Sequence, residues 1–287
     1  QTWVYESTKY HNILPSFNLS YNLTKNVIAR LSGSKSLTRA NPADLHQTQL
    51  SIGDQGVNQG NVTNPNLKPF KSNNLDVGLE WYYTKEAYVA VAGFAKDLID
   101  RPVTMSNVMS LSQYQQKYGY TVALTTTQQT VVTNDGGPDN HIVTVSEPVN
   151  IATKLKVRGL ELTWQQPLDM LPIKGFGFTG NMTFVHQKDS TAGAPPVAGV
   201  PERTNNLTLY YEGRGFNVRV SRQYQSSMVT QTNTGISPPD GATAYAYQSG
   251  RQSIDLSLGA NLKQLFDMKN NLDVTLSAWN LNNAVSQ

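Results

Sequence analysis

The residues best placed to do chemistry in this chain are charges set inside strand-like segments. Arg30, Asp76, Glu80, Glu161, Arg219, Asp255 and Asp273 each fall on the polar side of a stretch that alternates polar and apolar residues. In NNLDVGLEWYY (73–83), Leu75, Val77, Leu79, Trp81 and Tyr83 share one side, and Asn74, Asp76, Gly78, Glu80 and Tyr82 share the other. Such charges are prohibitive in an apolar medium, so they must face water or another polar part of the protein. A water-filled space would hydrate them; a polar plug would engage them through ion pairs and hydrogen bonds.

A second set lies in long polar connections. Tyr114, Tyr118 and Tyr120 are interspersed in 100–152, and Tyr245 and Tyr247 in 226–249, among Gln, Asn, Thr and Asp. Amide and hydroxyl groups beside aromatic platforms suit neutral polyhydroxylated ligands, which need many hydrogen bonds and a flat apolar face. Solvation of loops produces a similar composition. A ferric siderophore is the rival ligand, and the lack of clustered Arg or Lys in these loops counts against anionic ones.

Covalent chemistry finds no support. Gly175, Gly177 and Gly180 fit G-x-G-x-x-G, but a dinucleotide site needs a helix to open within the motif. Phe176, Phe178, Met182 and Phe184 continue a strand there instead. His11, His46, His141 and His186 have no metal-ligand spacing, so no metal and no cofactor is expected. No Ser sits in a nucleophile elbow, and a dispersed triad from His186, Asp189 and a Ser is the only enzymatic arrangement to weigh; no catalytic residue is assigned. The N-x-[ST] triplets at Asn18, Asn22, Asn61, Asn181 and Asn206 lie mainly on strands and reflect a composition rich in Asn and Thr. Net charge is +3 without a basic run, which argues against nucleic acid. Cysteine is absent, excluding disulfides and thiolate metal sites.

These residues must be positioned by strands. About ten are expected, at 12–22, 26–37, 73–84, 87–99, 153–166, 176–187, 203–212, 215–225, 250–262 and 271–281. Short breaks join them in pairs, and the long stretches 38–72, 100–152, 188–202 and 226–249 separate the pairs. Almost every proline lies in a connection, Pro15 being the mild exception, and no helix-period segment of useful length appears. No run of eighteen apolar residues exists, so no transmembrane helix is expected. Strands with an apolar outer side and a charged inner side describe instead an all-β, antiparallel transmembrane barrel. Tyr21, Trp81, Tyr83, Tyr88, Trp164, Phe176, Tyr211 and Phe216 gather beside the short turns, as an interfacial girdle does. Short turns are then periplasmic and long loops extracellular. At the outer strand ends, Lys35, Lys96, Lys156, Arg158 and Arg222 are expected on the lipid-facing side, where they meet lipopolysaccharide phosphates or snorkel.

The chain resembles the C-terminal part of a TonB-dependent outer-membrane receptor. The stretch NPNLKPFKSNNLDVGLEWYY (64–83) carries the resemblance most specifically, with ILPSFNLSYNLT (13–24), RLSGSKSLTRANPADL (30–45), VRGLELTWQQPL (157–168), GVPERTNNLTLYYEGRGFNVRVSRQY (199–224) and LDVTLSAWNLNNA (272–284). It is most similar to the Xanthomonas–Caulobacter branch. The resemblance implies a barrel of about 22 strands around a plugged lumen. Residues 1–287 would supply the twelfth to the twenty-first, as one C-terminal portion of the barrel. The chain opens at Gln1 and stops just after NLNN, so the TonB box, the plug and the final strand are expected outside it. Open sheet edges are costly in a bilayer, which is why a completing chain is expected. The partners so implied are TonB, the receptor's own plug, outer-membrane lipid and lipopolysaccharide, and a small solute, in the outer membrane of a Gram-negative bacterium. The function implied is TonB-energised import, with carbohydrate ahead of ferric siderophore. A passive porin or structural surface barrel is the alternative.

Overall fold

The computed structural model describes residues 9–45, 59–119, 123–190, 197–231 and 245–283. The elements begin with β1 (Ser16–Asn22), β2 (Val27–Thr38), α1 (Pro42–Leu45), β3 (Gln59–Asn61), β4 (Phe70–Tyr82) and β5 (Tyr88–Ile99). Next come β6 (Arg101–Ser110), α2 (Leu111–Tyr118), α3 (Thr126–Asn134), β7 (Ile142–Ile151), β8 (Leu155–Pro167) and β9 (Phe176–Asp189). The chain continues with β10 (Arg203–Gly213), β11 (Phe216–Gln225), β12 (Met228–Gln231), β13 (Ala246–Gln248), β14 (Arg251–Asn261), α4 (Leu262–Phe266) and β15 (Asp273–Ala278). They fall into two compact units, one on 15–35, 73–97 and 155 onward, the other on 36–72 and 98–154.

The first unit is a ten-stranded sheet in up-and-down order, β1-β2-β4-β5-β8-β9-β10-β11-β14-β15. All ten strands read from the alternation are present, with ends shifted by a few residues. Register follows the alternation. Leu207, Leu209 and Tyr211 stand opposite Arg222, Val220 and Val218, and Val220 and Val218 stand opposite Leu256 and Leu258. Successive residues of a strand point to opposite sides, so each rung is apolar or polar across many strands at once. Leu75, Val77, Leu79, Leu207, Leu209, Val274 and Leu276 are all exposed, and they define an apolar outer face. The tightest hairpin, between β10 and β11, turns at Arg214 (φ 51) and Gly215 (φ 78). A two-residue turn of this kind needs positive φ at both positions, which Gly215 adopts freely and Arg214 adopts with strain.

Rings near the short turns pack against one another on the apolar face, within a segment at Trp81 and Tyr83 and between neighbouring strands at the other two pairs. Trp81 and Tyr83 lie 5.0 Å apart, Trp164 and Phe178 4.9 Å, and Phe176 and Tyr211 4.7 Å between centroids. The indole N–H of Trp164 donates to Tyr83 Oη at 2.9 Å. Tyr88 departs from the expected girdle. It stacks on Tyr82 at 5.3 Å, on the polar face.

The second unit corrects the expectation that 100–152 is one long loop without helices. β6 and β7 pair antiparallel over their whole length, and β3 adds parallel to β7. α2 starts at Ser110, whose hydroxyl accepts from Gln113 N while Gln113 Oε1 accepts from Ser110 N. α3 starts at Thr125 with the same reciprocal bonds to Gln128. These capping boxes satisfy backbone donors that a helix start leaves unpaired. Gly119, at φ 69, closes α2 in the left-handed conformation. Val62, Leu111, Tyr114, Val132, Val143 and Val145 make the core, flanked by Met109, Tyr118 and Leu124. The stretch 226–249 likewise contains a β12–β13 ladder, and 263–270 begins inside the short helix α4.

Leu111 is fully buried in that core. Leu111→Ala is expected to destabilise the second unit by about 2–5 kcal/mol. Hydrogen exchange checks it: amides of Val143 and Val145 should lose protection, while those of Leu207 to Tyr211 keep theirs.

Candidate functional site

The polar face of the ten-stranded sheet collects the charges singled out in the sequence. β2 and β4 carry Arg30 and Glu80 on this face, where Arg30 Nε and Nη2 donate to the two Glu80 carboxylate oxygens at 2.7 and 3.3 Å. Tyr82 Oη donates to the same carboxylate at 2.9 Å, so Glu80 is held from two directions. Further along the same pair, Ser32 donates to Asp76 at 3.4 Å and Asn74 to Ser34 at 3.1 Å. A planar guanidinium matches a carboxylate in this two-point geometry, which aligns the charges more firmly than a single contact.

The face continues across the later strands. Arg219 on β11 pairs with Glu212 on β10. Thr208 and Ser221 share a hydrogen bond at 2.9 Å, and Asn206 donates to Asn181 at 2.9 Å. Glu161 belongs to the same set of rungs, through its partner Thr183 and that residue's partner Thr204. Asp255 accepts from Asn280 N at 2.8 Å, and Asp273 from Asn261 Nδ2 at 2.7 Å. The ion pairs are partly exposed, with Arg30 and Arg219 side chains at 52% and 57% exposure. They are therefore solvent-accessible contacts that another polar surface can compete for.

Four of the five outer cations keep their expected side. Lys35, Lys156, Arg158 and Arg222 have the parity of the apolar residues. Lys96 does not. Its ammonium lies 5.5 Å from the Phe94 ring centroid, and Phe94 covers Gly159, which shares its face with Glu161. Tyr88, Ala90, Ala92, Phe94 and Lys96 thus look toward the polar face, while Asp97 has the outer parity and receives Arg158 Nη2 at 2.7 Å. Strand alternation leaves Lys96 no other side once Phe94 is placed. Arg222 is tied down by Asn205 and Gln252, at 3.0 and 2.6 Å.

The aromatic ligand platform is placed differently from the expectation. Tyr114 is 0% exposed, inside the core of the second unit, and offers no surface to a solute. Its ring is the apolar anchor of α2, at helical spacing from Leu111 and Tyr118. Tyr118 packs 4.9 Å from Tyr114 and is half-buried; its hydroxyl donates to Glu147 at 2.7 Å and accepts from Lys117 at 2.9 Å. Tyr120 lies outside the described residues. Tyr245 is half-buried and Tyr247, on β13, is exposed. His141 is buried, with Nδ1 2.7 Å from Asp135 Oδ2, and Gly175 to Gly180 run into β9, where no helix opens. Among the described residues, no cluster of His, Asp and Glu is close enough to hold a metal ion.

With this geometry in view, comparison with known proteins identifies the fold. Residues 2–284 match the family described as TonB dependent receptor-like, beta-barrel, and the chain belongs to that family. It is thus part of a Gram-negative outer-membrane barrel. Among solved structures, it resembles a mutant ferric enterobactin receptor of Pseudomonas aeruginosa in complex with enterobactin, at 18% identity and a TM-score of 0.67, covering 94% of this chain and 35% of that one. It also resembles the siderophore receptor PirA of Acinetobacter baumannii, at 18% identity and a TM-score of 0.59, covering 94% and 37%. A third is the ferric-catecholate import receptor Fiu of E. coli, at 17% identity and a TM-score of 0.54, covering 93% and 30%. The chain spans about a third of the length of these proteins. No protein of curated function matches it.

The Lys117–Tyr118–Glu147 group has a defined pH response. Burial pushes the Tyr118 phenol above its ordinary value, and the bond to Tyr118 raises the Lys117 ammonium. Both folded values are raised, so this stabilisation is complete at neutral pH and is lost as pH rises through the folded values, above about 10. Unfolding of the second unit followed from pH 7 to 11 should show an alkaline loss that Tyr118→Phe reduces.

Proposed function

We propose that the full receptor imports a scarce solute across the outer membrane, energised by TonB, with the residues described here forming part of the wall around its plug. The observation that carries this reading is the polar face itself. Arg30–Glu80, Arg219–Glu212, Asp76, Glu161, Asp255 and Asp273 line one side of strands whose other side is apolar. A plug held by partly exposed ion pairs and hydrogen bonds can be displaced at modest cost, whereas a dry apolar interface would resist extraction. The barrel supplies scaffold and frame, without covalent chemistry.

For the solute, carbohydrate is supported by the amide- and hydroxyl-rich connections and the exposed ring of Tyr247. Burial of Tyr114 removes one ring from that argument. Ferric siderophore is the second reading, favoured by the enterobactin bound to the Pseudomonas receptor.

Cells carrying the full-length receptor should take up a labelled oligosaccharide only when TonB is present; uptake independent of TonB contradicts the reading in favour of a porin. Ferric siderophore uptake under the same conditions, with no sugar uptake, would move the solute assignment while keeping the transport class. In a separate strain, Glu80→Ala, Glu161→Ala and Arg219→Ala together should loosen the plug and raise sensitivity to large antibiotics. An unchanged sensitivity profile would remove these residues from the plug interface.

A further inference from the structure

Every short turn of the ten-stranded sheet carries a cation that the import reading does not use. Lys25 lies between β1 and β2, Lys85 between β4 and β5, Lys174 between β8 and β9, and Arg214 between β10 and β11. The β14–β15 connection carries two, Lys263 and Lys269. The acids of these turns are Glu86, Asp169 and Asp267, so cations outnumber them six to three. All six cations are exposed, and among the described residues none of them has a side-chain hydrogen bond or ion pair. On the strands the pattern differs, since Arg30, Arg158, Arg219 and Arg222 are each tied to a carboxylate or an amide.

Three of the turns form one continuous row. Glu212 N donates to the Gly175 carbonyl at 2.8 Å, which joins the β8–β9 turn to β10. Asn261 N donates to the Gly215 carbonyl at 2.7 Å, which joins the β10–β11 turn to the end of β14. A Cβ added at Gly215 would lie 3.0 Å from Leu265 Cγ, so α4 rests against that turn. The row is apolar as well as cationic. Met170 and Phe266 are 72% and 71% exposed, and Leu171, Ile173 and Met268 are exposed in the same two turns. Large apolar side chains left open together mark a surface that something covers.

The outer face of the sheet runs on into this row. Leu262 N donates to the Leu272 carbonyl at 2.8 Å, so the ladder of β14 and β15 continues into their turn. Leu272 keeps the parity of Val274 and Leu276, and all three are exposed. Phe176 and Tyr211, packed together on the outer face, stand at the foot of the β8–β9 turn. A partner for the row is therefore apolar where it adjoins this face and anionic where it meets water. A soluble acidic molecule supplies only the charge, whereas a phospholipid with a net negative headgroup supplies both. In outer-membrane barrels the short turns lie on the periplasmic side, which makes the leaflet the inner one. We propose that the turns 168–175, 213–215 and 262–272 bind anionic phospholipid of the periplasmic leaflet. Lys174, Arg214, Lys263 and Lys269 meet the phosphates, and Met170, Ile173 and Phe266 enter the acyl layer just beneath the headgroups. Lysine stems lie along apolar surface while their ammonium groups reach the phosphates. This contact anchors the periplasmic rim of the sheet and is independent of the transported solute.

The test uses full-length receptor purified in detergent, with palmitoyl-oleoyl phosphatidylglycerol as the anionic probe and phosphatidylcholine of the same chains as the neutral one. Bound lipid is counted by native mass spectrometry. Wild type should retain phosphatidylglycerol in preference to phosphatidylcholine. Lys174→Gln, Arg214→Gln, Lys263→Gln and Lys269→Gln together should lower phosphatidylglycerol retention roughly tenfold. Ile173→Ser with Phe266→Ser should lower retention of both lipids. Lys35→Gln with Lys156→Gln, at the other strand ends, should leave phosphatidylglycerol retention unchanged. Heat-modifiable mobility on gels confirms that each variant still forms a barrel; if the fourfold variant fails to assemble, Lys263→Gln with Lys269→Gln is used, with a smaller loss expected. Equal retention of the two lipids by wild type overturns the headgroup role. Unchanged phosphatidylglycerol retention in the assembled turn variant, or an equal fall in the Lys35 and Lys156 variant, overturns the assignment to the turns. Undiminished retention after the Ile173 and Phe266 substitutions overturns the apolar role.

Discussion

The backbone hydrogen-bond ladder is the constraint from which the rest follows. In lipid no water replaces a missing N–H···O=C bond, so each strand must pair with neighbours on both sides. Side chains are then forced to alternate across the ladder, one set toward lipid and the other inward. In the ten-stranded sheet the eight inner strands pair on both sides, and β1 and β15 stand at its edges. The same backbone geometry that satisfies the ladder sorts Leu207 and Leu209 from Thr208 and Tyr210, and Leu79 from Glu80. The charge distribution of the protein is a consequence of that sorting.

The two faces use polar groups in different ways. Inside, ion pairs such as Arg30–Glu80 are partly hydrated and arranged along the wall, so a partner surface can exchange with them. Outside, Arg158 is paired with Asp97, and Arg222 donates to the side-chain amide oxygens of Asn205 and Gln252, because an unsatisfied cation near lipid is expensive. Near the opposite strand ends, rings such as Trp164 and Tyr83 hydrogen-bond through their polar edges while their apolar bodies remain on the outer face.

The strands were legible because alternation is strong wherever the two faces differ. β4 shows this best: Leu75, Val77, Leu79 and Trp81 against Asn74, Asp76 and Glu80. β5 is apolar on both faces, with Ala90, Ala92 and Phe94 on one and Val89, Val91 and Ala95 on the other. Parity there cannot be read from composition, so the inward side of Lys96 is not legible in the sequence. The helices of the second unit are hidden for another reason. Both are short and polar, with weak periodicity, but each carries a readable start signal: Ser110 with Gln113, and Thr125 with Gln128. Tyr114 shows the limit of compositional reasoning about loops. A tyrosine among Gln and Ser has the composition of a ligand platform, but its helical spacing from Leu111 and Tyr118 makes it the apolar side of α2. Cross-strand neighbours such as Lys156 and Lys188 are not legible in the sequence, because register is a property of two strands and not of one.

The central claim is that one side of this sheet meets lipid and the other does not. The chain has no cysteine, so single-cysteine variants report cleanly. Nitroxide labels placed in turn at Leu207, Thr208, Leu209 and Tyr210, in full-length receptor reconstituted in bilayers, measure contact with oxygen against contact with a water-soluble nickel chelate. The account predicts a period of two, with high oxygen and low chelate contact at Leu207 and Leu209, and a drop in oxygen contact at Thr208 and Tyr210. Uniform accessibility along the four positions, or the opposite phase, would contradict it.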